Sequence, residues 1–180
     1  YDIELLMRQI FSSDWFYAEE NIGVKIASPV ELIVRFKKNL SIEFKELKYL
    51  INYQKALGQL LFFPPNVSGW KGHTAWIDSA SLLLRLNTIT YINEEGLSLN
   101  VNGKPAFEAE NKDKREQNKQ KKLTAKWDPL VEWFENKTDD EIINSFIQCE
   151  LNHIDKTHFN GLTTREKLIL VMTLPEFQLI

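Results

Sequence analysis

Apolar residues recur three and four apart along most of this chain, the spacing that gives a helix one buried side. Ile3, Leu6, Met7, Ile10 and Phe11 mark a packed helix from Ile3 to about Ser12. The run "SPVELIVRFKKNL" predicts a second, with Ser28 as cap, Pro29 in the first turn and Glu31 closing a capping box. Its apolar face reads as Val30, Ile33, Val34 and Leu40, and Lys37 and Lys38 lie at the end that favours cations. A third helix is expected from about Ile42 to Leu57, stopped by Gly58. A fourth is expected from about Ser79 to Ile92, capped by Asp78 and ended by Gly96.

Later signals are of the same kind. "WDPLVEWFENK" predicts a helix begun at Asp128-Pro129. Thr138 with Glu141, and Thr163 with Glu166, have capping-box spacing, and Pro175 breaks the last helix. Between Gly96 and Trp127 the pattern changes. "LSLNVNGKPAF" alternates around Asn102-Gly103, a hairpin signal in which Pro105 limits the second strand to an edge. Glu108 to Lys126 carries seven Lys/Arg against four Asp/Glu with few apolar anchors, the composition of a solvated arm. The expectation is a mainly α, irregular multi-helix domain over 1–180. It has six or seven helices, a Pro/Gly/Trp loop, and a flexible insert over 97–126 holding a small hairpin or extended piece. "LMRQIFSSDWF" and "LILVMTLPEF" echo each other, each an apolar helix that stops and places an aromatic, Phe16 or Phe177, shortly after. Two copies are too few for a repeat array.

Charge and composition narrow the function classes. A net charge of −3 supplies no basic field for nucleic acid or an anionic membrane. No apolar run approaches the roughly 18 residues that a membrane-spanning helix needs. Cys149 is the single cysteine, so no intramolecular disulfide forms. In "EIINSFIQCELN" it reads as a small hydrophobe on an amphipathic helix. The opening "YDIELLMRQIF" is helical from the outset, with neither Met nor a signal peptide, which suggests a portion of a longer protein.

Three stretches, "LLMRQIFSSDWFYAEENIGVKIASPVELIVRFKKNL", "LGQLLFFPPNVSGWKGHTAWIDSASLLLRLN" and the closing "LPEFQ", occur in one order and spacing. Together they resemble the C-terminal part of a large bacterial family of unknown function, number eighteen hundred. The resemblance covers Leu5–Leu40, Leu57–Asn87 and the final helix, and Pro-Pro-Asn-Val-x-Gly-Trp is its most specific element. It implies a longer polypeptide whose helical N-terminal half is a partner for this portion, and export to the periplasm or cell surface. It also implies a neighbouring exported, sulfatase-like protein as a possible partner. It brings no catalytic residue and no cofactor. One departure stands out: the family pattern has Pro-Gly-Gly after the Gly-Trp, where this chain has Lys71-Gly72-His73.

Phe62 to Asn87 is the chemically densest stretch. Its two prolines stiffen the chain, Gly69 and Gly72 permit unusual backbone angles, and Asn66 and Asp78 suit turns and caps. On one reading it is a self-packed loop bracing its helices, in a non-catalytic structural or interaction domain. On a second, Asn66, Trp70, His73, Trp76 and Asp78 grip a carbohydrate or other polymer, aromatic faces on the ring and short polar groups on its hydroxyls. A third pairs His73 with Asp78 as base and orienter of a hydrolase, although no nucleophile stands at suitable spacing. His153 and His158, five apart in "HIDKTH", share no helical face, and no metal site is expected from them. An interaction domain predicts an uncovered apolar patch; the saccharide reading predicts a tryptophan lining an open groove.

Overall fold

A computed structural model describes residues 2–94, 123–149, 151 and 155–180 of the chain. The described residues form seven α-helices: α1 (Ile3–Phe11), α2 (Pro29–Leu40), α3 (Leu47–Ala56), α4 (Ser79–Asn93), α5 (Asp128–Phe134), α6 (Asp139–Phe146) and α7 (Thr164–Thr173). Two short strands, β1 (Glu43–Phe44) and β2 (Leu123–Thr124), pair antiparallel. The fold is mainly α, as the periodicity predicts.

The helix starts follow from local chemistry. Ser28, Asp78, Thr138 and Thr163 each cap a helix, each inside a reciprocal capping box. Such a cap satisfies amides that the first turn leaves unpaired, worth about 1 kcal/mol each. Burial on α2 departs from expectation. Pro29, Leu32, Ile33, Phe36 and Leu40 are buried, whereas Val34 is 43% exposed. The stripe advances three or four residues at a time from Pro29, which turns Val34 off the core side.

The third helix starts later than predicted. Ser41 turns left-handed (φ 47°) at the end of α2, Ile42 enters the core, and Glu43–Phe44 pairs with a strand some eighty residues away. Local periodicity carries no sign of so distant a partner. Leu123 is buried and the Lys126 amide donates to the Leu40 carbonyl at 2.8 Å, so 123–126 are part of the packed body. Gly96, the Leu97–Phe107 hairpin, the charged run as far as Lys122 and His153 lie outside the described residues. Helix α6 ends at Phe146, so half-buried Cys149 follows the helix rather than sitting on it.

Helix α7 is the hub: it packs against α4, α5 and α6, and its Leu168, Val171 and Met172 are buried. Two arginines act as staples. Arg85 of α4 is fully buried, and both terminal guanidinium nitrogens donate to the Ala27 carbonyl just before α2. Arg35 of α2 lies 4.0 Å from the centre of the Phe177 ring. It donates to the carbonyls of Phe177 (2.6 Å), Leu179 (3.0 Å) and Phe146. The C-terminal "LPEFQ" is thereby held on α2, helped by the backbone bridge between Ile26 and Leu179. The two echoing aromatics therefore part company, for Phe177 is core and Phe16 is exposed.

Candidate functional site

The loop from α3 to α4 is built by polar fasteners at each bend. Gly58 turns left-handed after α3 (φ 87°). The Gln54 side chain accepts the Leu61 amide at 2.9 Å, and that of Gln59 accepts the Val30 amide at 3.0 Å, tying the loop entrance to α2. Asn66 closes an Asx turn: its side-chain oxygen accepts the Ser68 amide at 2.9 Å and its carbonyl accepts the Gly69 amide at 3.1 Å. Gly69 supplies the left-handed angle there (φ 79°). A single 3₁₀ turn spans His73–Trp76, after which Asp78 starts α4.

These bends enclose a groove of about 560 Å³ between the end of α3 and the start of α4. Asn66, Trp70, Trp76 and Asp78 line it; His73 is exposed and is not among the lining residues. Both tryptophans are half-buried. The Asp78 carboxylate accepts the amides of Ala80 (2.9 Å) and Ser81 (2.8 Å). Hydrogen bonds from the Ser81 amide and hydroxyl, with a smaller one from Ala80, hold its pKa below the usual carboxylate value. Asp78 is therefore an anion committed to the first turn of α4. His73 has φ 54°, in the left-handed region where a glycine is unstrained. That angle suits the glycine that the resemblance implies at this position.

Two contributors escaped the sequence reading. Lys55, in the last turn of α3, and Lys71 both line the groove. Nothing in "QKALG" or "GWKGH" separates them from ordinary solvated lysines. A second depression, about 420 Å³, lies beside Trp127. It is crossed by Arg165, which donates twice to the Asn93 side chain (3.1 and 2.8 Å) and lies 4.9 Å from the Trp127 ring centre. Its charged group is thus already partnered within the fold.

The other unanticipated feature is α1. The sequence marks it as packed, yet none of its residues is buried; Ile3 is 69% exposed and Leu5, Leu6, Met7 and Phe11 are also open to solvent. The following turn, Asp14–Tyr17, stacks on itself edge to face: Phe16 meets Phe11 at 5.1 Å, Trp15 at 5.9 Å and Tyr17 at 5.1 Å. Trp15 remains 61% exposed even so. Farther along, Ile22 and Val24 are exposed beside a groove of about 560 Å³ that they form with Glu19, Glu20, Gln148 and Cys149. Among the described residues no helix is long and apolar enough to cross a membrane, and no group of His, Cys, Asp and Glu is placed to hold a metal.

No curated protein and no solved structure matches the chain. A family profile described as "Protein of unknown function (DUF1800)" matches residues 1–179, essentially the whole of it. The chain that carries this tryptophan-lined groove and uncovered α1 belongs to that family.

Proposed function

We propose that this chain is a non-catalytic interaction domain that docks another helical polypeptide along α1 and the aromatic turn after it. The observation that carries this reading is the uncovered apolar side of α1, continued by Trp15, Tyr17, Ile22 and Val24. A nine-residue helix with this much exposed apolar surface gains stability by burying it, at about 25 cal/mol per Å². The favoured occupant is the helical N-terminal half that the family resemblance implies, which makes the docking intramolecular in the longer polypeptide. Export, and contact with a neighbouring sulfatase-like protein, are part of the same proposal. Hydrogen exchange tests it: α1 amides are expected to exchange fast in this chain alone and to be strongly protected in the longer polypeptide. Equal exchange in the two would remove the proposal. Cell fractionation tests export separately.

A second reading has its own observation: Trp70 and Trp76 line an open groove together with Asn66, the arrangement that suits a sugar ring. The hydrolase reading has less support, because the Asp78 carboxylate is engaged by α4 and His73 does not line the groove.

A further inference from the structure

We infer that the groove between α3 and α4 binds an anionic saccharide, its ring against Trp70 or Trp76 and its acidic group held by Lys55 and Lys71. The inference rests on the saccharide reading above and adds the charge of the ligand. Three observations carry it.

The first is the state of the indoles. Neither Trp70 nor Trp76 donates its N–H to the protein among the described residues, yet neither N–H is sealed from solvent. A half-buried indole that lines an open groove and keeps its N–H within reach of solvent offers an apolar face and a donor together, which is what a sugar needs.

The second is local charge. Lys55 and Lys71 are exposed, and neither forms an ion pair among the described residues. Among the described residues the one carboxylate lining the groove belongs to Asp78, held at the start of α4 by the amides of Ala80 and Ser81, so the lining sets two cations against one anion. The groove is thus locally cationic in a chain of net charge −3. Two ammonium groups lining the same groove as the two tryptophans favour a ligand carrying a carboxylate or sulfate over a neutral one.

The third is rigidity. The glutamine fasteners, the Asx turn and the Asp78 cap hold the groove walls before any ligand arrives, so little ordering is left to oppose binding. The volume, about 560 Å³, lies in the range of small-ligand sites, roughly 300–1,000 Å³.

The test uses the whole chain and tryptophan fluorescence, with Trp70→Phe and Trp76→Phe assigning the signal. The probes are oligogalacturonate, a sulfated galactan oligomer and neutral cellohexaose. Binding of either or both acidic oligomers, at least tenfold tighter than cellohexaose, is the expected result, and the two acidic arms distinguish carboxylate from sulfate. The double variant Lys55→Gln/Lys71→Gln is expected to lose at least tenfold in affinity for the acidic oligomer while keeping the wild-type circular dichroism and melting temperature. Equal binding of acidic and neutral oligomers, or no effect of the lysine variant, overturns the charge assignment and leaves the saccharide reading standing. No binding of any oligomer overturns both.

Discussion

Replacing Arg35 by Met tests whether the C-terminal tail is held by one guanidinium. Met keeps most of the alkyl stem but removes the donors to the carbonyls of Phe177, Leu179 and Phe146 and the stack on the Phe177 ring. Phe146 and Phe177 are buried, so two carbonyls lose their partner away from water, at about 1–3 kcal/mol each. The half-buried Leu179 carbonyl can take a water instead. Losing the stack costs about 0.5–1 kcal/mol more. Against this, burial lowers the Arg35 pKa, and no carboxylate among the described residues pairs with it, so removing the cation returns part of the loss. The net expectation is a destabilisation of about 3 kcal/mol, which for a chain of this size lowers the melting temperature by roughly 6–12 °C. Urea unfolding followed by circular dichroism measures it, with the slope unchanged if only stability has moved. A loss below about 1 kcal/mol would show that the tail is held by its backbone bridge and core packing without the arginine.

Three further outcomes follow from local geometry. Gly23→Ala places a methyl 2.9 Å from the Cys149 backbone nitrogen at φ +65°, so a loss of about 1–2 kcal/mol from backbone strain alone is expected. Cys149→Gly should not rescue it, since the clash is with backbone, and full rescue would contradict the contact. His73→Gly should leave the melting temperature unchanged or higher, while His73→Val costs about 1–2 kcal/mol because a β-branched residue resists φ 54°; equal effects would count against the left-handed assignment. Glu141 is held below its usual 4.5 by the Thr138 amide, Lys137 and the Thr138 hydroxyl, and Glu166 by the Thr163 hydroxyl and amide. For Glu31, burial pushes the value up, but bonds from Lys25 and Ser28 outweigh it. Lowered folded values mean stability present above about pH 4.5 and lost as pH falls through them. Urea midpoints should fall below that pH, and less steeply in Glu141→Gln/Glu166→Gln; identical profiles would exclude the capping carboxylates as the source.

What the sequence made legible was what is encoded within a few residues. Ser28-Pro29-Val30-Glu31 announces its capping box because donor and acceptor are three positions apart, and the same holds for Thr138 and Thr163. The pairing of Glu43–Phe44 with Leu123–Thr124 was invisible because its partner is remote. Periodicity identified the apolar side of α1 but could not say what covers it, since an identical stripe serves a core helix and a docking helix. At the groove, Asn66, Trp70, Trp76 and Asp78 were identifiable by type, and four of the five candidate residues come together there. His73 was included for its chemistry, whereas its place is explained by a backbone angle. The two lysines were missed because a lysine at a helix end or in a loop looks the same whether it faces open water or a groove.

The claim that α1 is a docking surface and not part of this chain's core is tested most directly by the thermal unfolding of Leu6→Ser/Met7→Ser/Phe11→Ser. Because all three side chains are already exposed, the melting temperature is expected to stay within about 6 °C of wild type, in keeping with the small effects of surface substitutions. If instead α1 packs into the core in solution, each of the three truncations would cost about 2–5 kcal/mol. A chain that fails to fold, or that melts more than about 15 °C lower, would contradict the account.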